Sequence, residues 1–144
     1  MILMSRIEEW ECFTLDVEWY AVDRSGNIAV LLSAGSGNLP EFVCADCEKT
    51  DSLTAFFEAY PKGTESVLHF HSTEQGDQVA TAFSDKGLYY FDAFLQTHYT
   101  KHSSPRIPLK FDTLPPHIKL LLQSNILDED FSSTDIIRVE HAYT

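Results

Sequence analysis

Basic residues are scarce in this chain. Ten Lys and Arg stand against 22 Asp and Glu, a formal net charge of -12 over 144 residues. A field of that sign repels a phosphate backbone, so no nucleic-acid ligand is expected. It steers a basic protein toward the surface and otherwise keeps the chain solvated. Cysteine is also sparse. Cys12, Cys44 and Cys47 are an odd count, which fits a reducing compartment better than a disulfide framework, and the expected location is cytoplasmic. No apolar run approaches transmembrane length. Only four residues, MILM, precede Ser5 and Arg6, too few for the apolar core of a signal peptide, so no membrane is expected either.

Phosphate-loop signatures are missing as well. Gly35-Ser36-Gly37-Asn38-Leu39 runs into Pro40, where a dinucleotide fingerprint needs glycine. No Gly-Lys-Ser/Thr is present, and Ser36 lacks the flanking glycines of a nucleophile elbow. This loop reads as turns that lead the chain off a sheet edge.

What is present is ordinary for one globular domain, 1–144. Hydrophobic residues make up 44% and charged residues 22%, and a chain of this length buries about two-thirds of its unfolded surface. Phe13 to Asp23 and Asn27 to Ser33 predict two strands around the turn cluster DRSGN, hence a β-hairpin. Asp23, Ser25 and Asn27 alternate as calcium ligands do, but Gly26 comes one place early for an EF-hand and Ala34 stands where its last glutamate belongs. Leu53, Phe56, Phe57 and Tyr60 share one face of a predicted helix capped by Thr50 or Asp51. Ser66 to Phe70 predicts a short strand. A second helix follows, with Ser72 and Gln75 as a capping box and Gly87 as its stop. GLYYFDAF, Thr97 to Lys101, Arg106 to Phe111 and IIRVEH predict further strands, with Ser103-Ser104-Pro105 as a breaker. A third helix carries Leu114, Ile118, Leu121 and Leu122, with Asp112 or Thr113 as its cap and Pro115 and Pro116 in its first turn. The expected fold is α+β: an antiparallel sheet that opens with a hairpin, with about three helices packed on one face.

Two constellations carry the chemistry. Cys44-Ala45-Asp46-Cys47 is half a zinc site, with Cys12, His69 and His71 as the obvious recruits. As a redox pair it needs a helix N-terminus, while its acids Asp46 and Glu48 raise thiol pKa values; two incidental cysteines are the simpler reading. His69-Phe70-His71 puts two imidazoles on one face of a strand, with Glu74 close behind. With Gly63 upstream, this run is similar to the first metal motif of the cupin β-barrels. A metal-binding domain using His69, His71 and Glu74 is therefore the alternative function.

A broader resemblance rests on the hairpin "WYAVDRSGNIAVLLSAG" with Leu39-Pro40, the aromatic "GLYYFD" and the late "LPPHIKLLL". Together these resemble small acidic bacterial immunity domains of the SUKH superfamily, which includes regulators of cell-wall glucan synthesis. The resemblance implies an α+β fold and a non-enzymatic task, binding a protein partner such as a nuclease toxin and blocking it, with no cofactor. The acidic balance agrees with a basic partner. Glu41, Asp46, Glu48 and Asp51, in the loop after the hairpin, are the expected contacts.

Overall fold

A buried carboxylate shapes the first turn. In the computed structural model, which describes residues 5–143, β1 (Glu18–Val22) and β2 (Ile28–Leu32) pair antiparallel as expected. The reading of the MILM segment lies outside the described residues. Asp23 Oδ1 accepts the backbone N–H groups of Ser25 at 2.9 Å and Asn27 at 2.8 Å. Gly26 takes φ +79°, a conformation that suits glycine. The alternating Asp23, Ser25 and Asn27 thus serve a side-chain-stabilised turn.

The chain leaves β2 through the AGSGN loop, where a side chain at Gly37 would run into the Phe13 ring. It continues through α2 (Glu41–Cys44), α3 (Cys47–Ala59), β3 (Ser66–Leu68) and α4 (Glu74–Ser84) into β4 (Tyr89–Phe94). β4 lies beside β2 and parallel to it. The expected antiparallel sheet is therefore corrected to a mixed one. A hairpin fixes the direction of its own two strands only, and the helical crossover that follows returns the chain in the same direction. β5 (His98–Pro105) runs antiparallel to β4. β3 and β6 (Ile136–Ile137) pair with opposite ends of β5, so the strand order is β1-β2-β4-β5-β3 with β6 beside β5.

Both sheet faces are buried, which is why EWYAV, IAVLL and YYF show little polar alternation. On one face Tyr20, Val30 and Tyr90 pack with Leu53 and Phe57 of α3, Ala80 of α4, and Ile118 and Leu122 of α5 (Pro116–Leu122). These are the three helices that the sequence predicts, but the expectation of about three helices on one face is corrected to five helices among the described residues, spread over both faces. The other face packs Trp19, Leu31, Phe91 and Tyr99 against Cys12 of α1 (Glu9–Cys12), Val43 and Cys44 of α2, and Phe131. The two extra helices are four residues each, too short to show a helical period.

Several boundaries move for local reasons. α3 starts at Cys47 because Asp46, not Thr50 or Asp51, caps it, accepting Lys49 N–H at 3.0 Å. Thr73 caps α4 through Gly76 N–H, while Ser72 turns to Asp77. The expected first strand shortens to Glu18–Val22 because the turn that closes α1 takes Phe13 and Thr14, with the N–H groups of Thr14 and Leu15 on Glu11 O. Ser103-Ser104-Pro105 does not break β5 but ends it, at a position where proline removes no ladder bond. Residues 106–111 form no strand beyond one bridge at Lys110, and a 3-10 turn, Phe111–Thr113, leads to Pro115 as the N-cap of α5. The last strand shrinks to Ile136–Ile137. Among the described residues no helix is long and apolar enough to cross a membrane.

Asp23 Oδ2 also accepts the Phe131 backbone N–H at 2.8 Å and Asn27 Nδ2 at 3.1 Å, and the residue is only 4% exposed. Asp23→Ala strands these buried donors. It is expected to cost about 3 kcal/mol in urea unfolding, read as a lower midpoint at unchanged slope.

Candidate functional site

The expected imidazole pair does not converge. β3 ends at Leu68, so His69 and His71 do not share a strand face. His69 Nε2 lies 2.6 Å from Ser104 Oγ, and burial pushes its pKa down. His71 Nδ1 lies 3.1 Å from Asp77 Oδ2, and Glu74 opens α4. Among the described residues no group of three or more His, Cys, Asp or Glu is placed to hold a metal ion.

A third histidine, His102, takes the central place here. Tyr90 pairs with Ser103 and Phe91 with Lys101, so His102 is the extra residue of a β-bulge. A bulge re-aims a side chain. The His102 ring stacks on Phe70 at 4.3 Å and on Tyr90 at 5.6 Å between centroids, and its Nε2 meets Asp77 Oδ1 at 3.1 Å. Asp77 therefore holds His71, Ser72 and His102 together, tying α4 to β5. No sequence signal marks this cluster, because a bulge depends on pairing and not on composition.

The CxxC motif also changes meaning. Cys47 is the first residue of α3, a position that ordinarily favours a thiolate. Burial pushes its pKa up instead, and Asp51 and Glu48 add to the effect.

Three of the four expected contact acids have internal partners. Glu41 forms a bidentate pair with Arg6. Glu48 accepts from Ser5 N and Oγ at 3.2 and 2.9 Å, and Asp46 caps α3. Asp51 is different. It lines an open groove with Glu11, Asp16 and Glu18, beside Leu15 and Thr54.

Glu18 starts a row that crosses the sheet on the face covered by α3, α4 and α5. Glu18 pairs with Leu32, Leu32 with Asp92, Asp92 with Thr100 and Thr100 with Ile136. The neighbouring row, Tyr20, Val30 and Tyr90, is fully covered, whereas Glu18, Leu32, Asp92 and Thr100 are half-buried and Ile136 is exposed. Two strand spacings put Glu18 and Asp92 roughly 10 Å apart. Burial pushes both carboxyls up, and the charge of Asp16 adds to each. Hydrogen bonds from Tyr20, 2.5 Å from Glu18, and from Ala93 N–H at Asp92 act the other way. Among the described residues neither carboxyl forms an ion pair with Lys or Arg. Phe70 and Phe94 line a second groove with Asp92, and Phe94 and Leu95 are 55% and 72% exposed. Leu95 takes φ +54° at the β4–β5 turn, a conformation that disfavours leucine. The result is an acidic, partly desolvated face with an aromatic end.

No family model matches the chain, and no curated protein or solved structure matches it. The functional reading therefore rests on the residues themselves.

Asp77 gives a pH test of the His102 cluster. Hydrogen bonds from Ser72 N–H and then His71 hold its carboxyl well below the usual range. A depressed carboxyl contributes stability above its unfolded pKa of about 4 and loses it as pH falls further. Asp77→Asn is expected to lower Tm at pH 7, with the gap to wild type narrowing below about pH 4. Melting curves across that range read it directly.

Proposed function

We propose that the chain is a non-enzymatic partner-binding protein of the immunity or regulatory type, which binds a basic protein and blocks its active cleft. One observation carries this reading. Glu18 and Asp92 are partly desolvated carboxyls that form no ion pair with Lys or Arg among the described residues, set in one row beside an exposed aromatic end. A Lys or Arg from a partner would supply the direct ion pair that these carboxyls lack among the described residues. Such a charge pair, closed off from water, couples strongly. Phe94 and Leu95 supply apolar anchors of the kind that dominate interfaces. The net charge of -12 speeds encounter with a basic surface. The SUKH-like signature points to the same class. Asp51, in the groove with Glu18, is the expected contact that this face retains.

The test uses the protein encoded beside this chain's gene as the partner, purified and titrated by calorimetry and stopped flow. Binding is expected to weaken with added salt, mainly through the on-rate. Glu18→Gln and Asp92→Asn are each expected to weaken it about 10-fold or more. Stability should move the opposite way. These carboxyls are raised in the folded state, so their ionised forms disfavour folding near neutrality. Neutralising them raises Tm at pH 7, and the gain fades as pH falls through about 4. Tight binding that neither salt nor these substitutions alter would overturn the reading.

A further inference from the structure

The spacing of the cysteines singles out Cys44 and Cys47, but the sulfur that faces Cys44 is that of Cys12. The two Sγ atoms lie 3.9 Å apart, and both residues are buried, at 2% and 0% exposure. Cys12 closes α1 and Cys44 closes α2, so each sits at the end of a four-residue helix. We propose that Cys12 and Cys44 are a dithiol that oxidises to an intramolecular disulfide, fixing α1 to α2 and closing a loop around the whole β1–β2 hairpin.

The geometry needs little rearrangement. A disulfide requires the sulfurs to close to about 2.05 Å, and rotamer changes at the ends of two single-turn helices can supply that movement. Access comes from the N-terminal segment. Residues 5–7 strap across α2 and the start of α3, with Ile7 N–H on Cys44 O at 2.9 Å, Cys47 N–H on Ser5 O at 2.9 Å, and Arg6 on Glu41. Ser5 also donates to Glu48, Arg6 to Tyr143, and the Tyr143 hydroxyl to Ile7 O, while Ile7 is buried; a reagent reaches the sulfurs only when this strap opens locally, which makes the reaction slow.

The oxidant is a small-molecule disulfide. One protein thiolate attacks it, releasing one small thiolate and forming a mixed disulfide. The second protein thiolate attacks the protein-side sulfur and releases the other small thiolate. The two thiolates leaving take up the two protons lost by Cys12 and Cys44, and two electrons pass from the protein sulfurs to the reagent. Burial pushes both thiols up, Cys44 to about 12. Thiolate is therefore rare and the reaction slow. Cys47, half-buried and without a sulfur partner in hydrogen-bond reach among the described residues, is the internal control.

The experiment incubates the folded full chain with oxidised glutathione, quenches by alkylation under denaturing conditions, and maps peptides by mass spectrometry. Wild type and Cys47→Ser are both expected to lose 2 Da and yield one Cys12–Cys44 crosslinked peptide. Tm should rise and return to its starting value after strong reductant. Cys12→Ser should give no crosslink. Because Cys47→Ser leaves the facing pair intact, it decides the matter even if Cys12→Ser folds poorly. Alkylation of all three cysteines after long oxidation would overturn the proposal, as would a crosslink between Cys44 and Cys47.

Discussion

Two buried charges of opposite sign grip one residue, and the second face of the sheet depends on that grip. The Phe131 backbone N–H goes to Asp23 Oδ2 at 2.8 Å, and its C=O accepts from Lys101 Nζ at 2.9 Å. Its ring, fully buried, packs on Tyr89 and Phe91. Among the described residues no long helix covers this face, so an irregular C-terminal segment must do it. Irregular backbone buries polar groups that no ladder satisfies, and each unpaired group costs free energy. Placing a carboxylate and an ammonium against one peptide's two ends satisfies the backbone and both charges together. The segment then reaches the residue that follows the AGSGN loop and the residues before α1, with Ala142 N–H on Leu39 O at 3.0 Å and the Tyr143 hydroxyl on Ile7 O. The turn that starts the sheet and the lid that closes it therefore share Asp23.

The same need explains the charge asymmetry. The chain has few cations, and several serve as internal fasteners. Lys49 donates to Ser124 and Asn125, Lys86 to the Phe57 and Glu58 carbonyls, and Lys110 to Asn27. Arg6 joins Glu41 and Tyr143. Among the described residues, basic groups held this way form no ion pair with Glu11, Asp16, Glu18 or Asp51, although the charge of Lys86 acts on Glu18. An acidic face thus follows from which loops require fastening, not only from composition.

What could be read from the sequence was what repeats locally. The hairpin was legible because DRSGN combines a side-chain acceptor with a positive-φ glycine. The apolar stripes of α3 and α5 were legible because helical spacing exposes them. The parallel pairing of β2 and β4 was not, since strand direction after a crossover leaves no mark in either strand. His102 and Asp77 were invisible for a related reason, because a one-residue register shift joins them. Among the acids, composition pointed to Glu41, Asp46, Glu48 and Asp51 alike, and only internal partners separate the first three from the last. The Glu18-to-Ile136 row is assembled from five strands, and no window of sequence contains it.

That row raises a question of necessity. The hydroxyls of Tyr20 and Tyr90 sit in a covered layer, and a buried hydroxyl needs a partner. Glu18 provides one for Tyr20, and Asp92 hydrogen-bonds Tyr90. An amide oxygen accepts such a bond as well as a carboxylate does, without the cost of a half-buried charge. Hydrogen-bond satisfaction therefore accounts for an acceptor at each position but not for the charge. The carboxyls also lie within the field of Asp16, which raises that cost further. The proposed partner supplies the missing reason, since a cation from outside would offset the cost that these two charges carry within the fold.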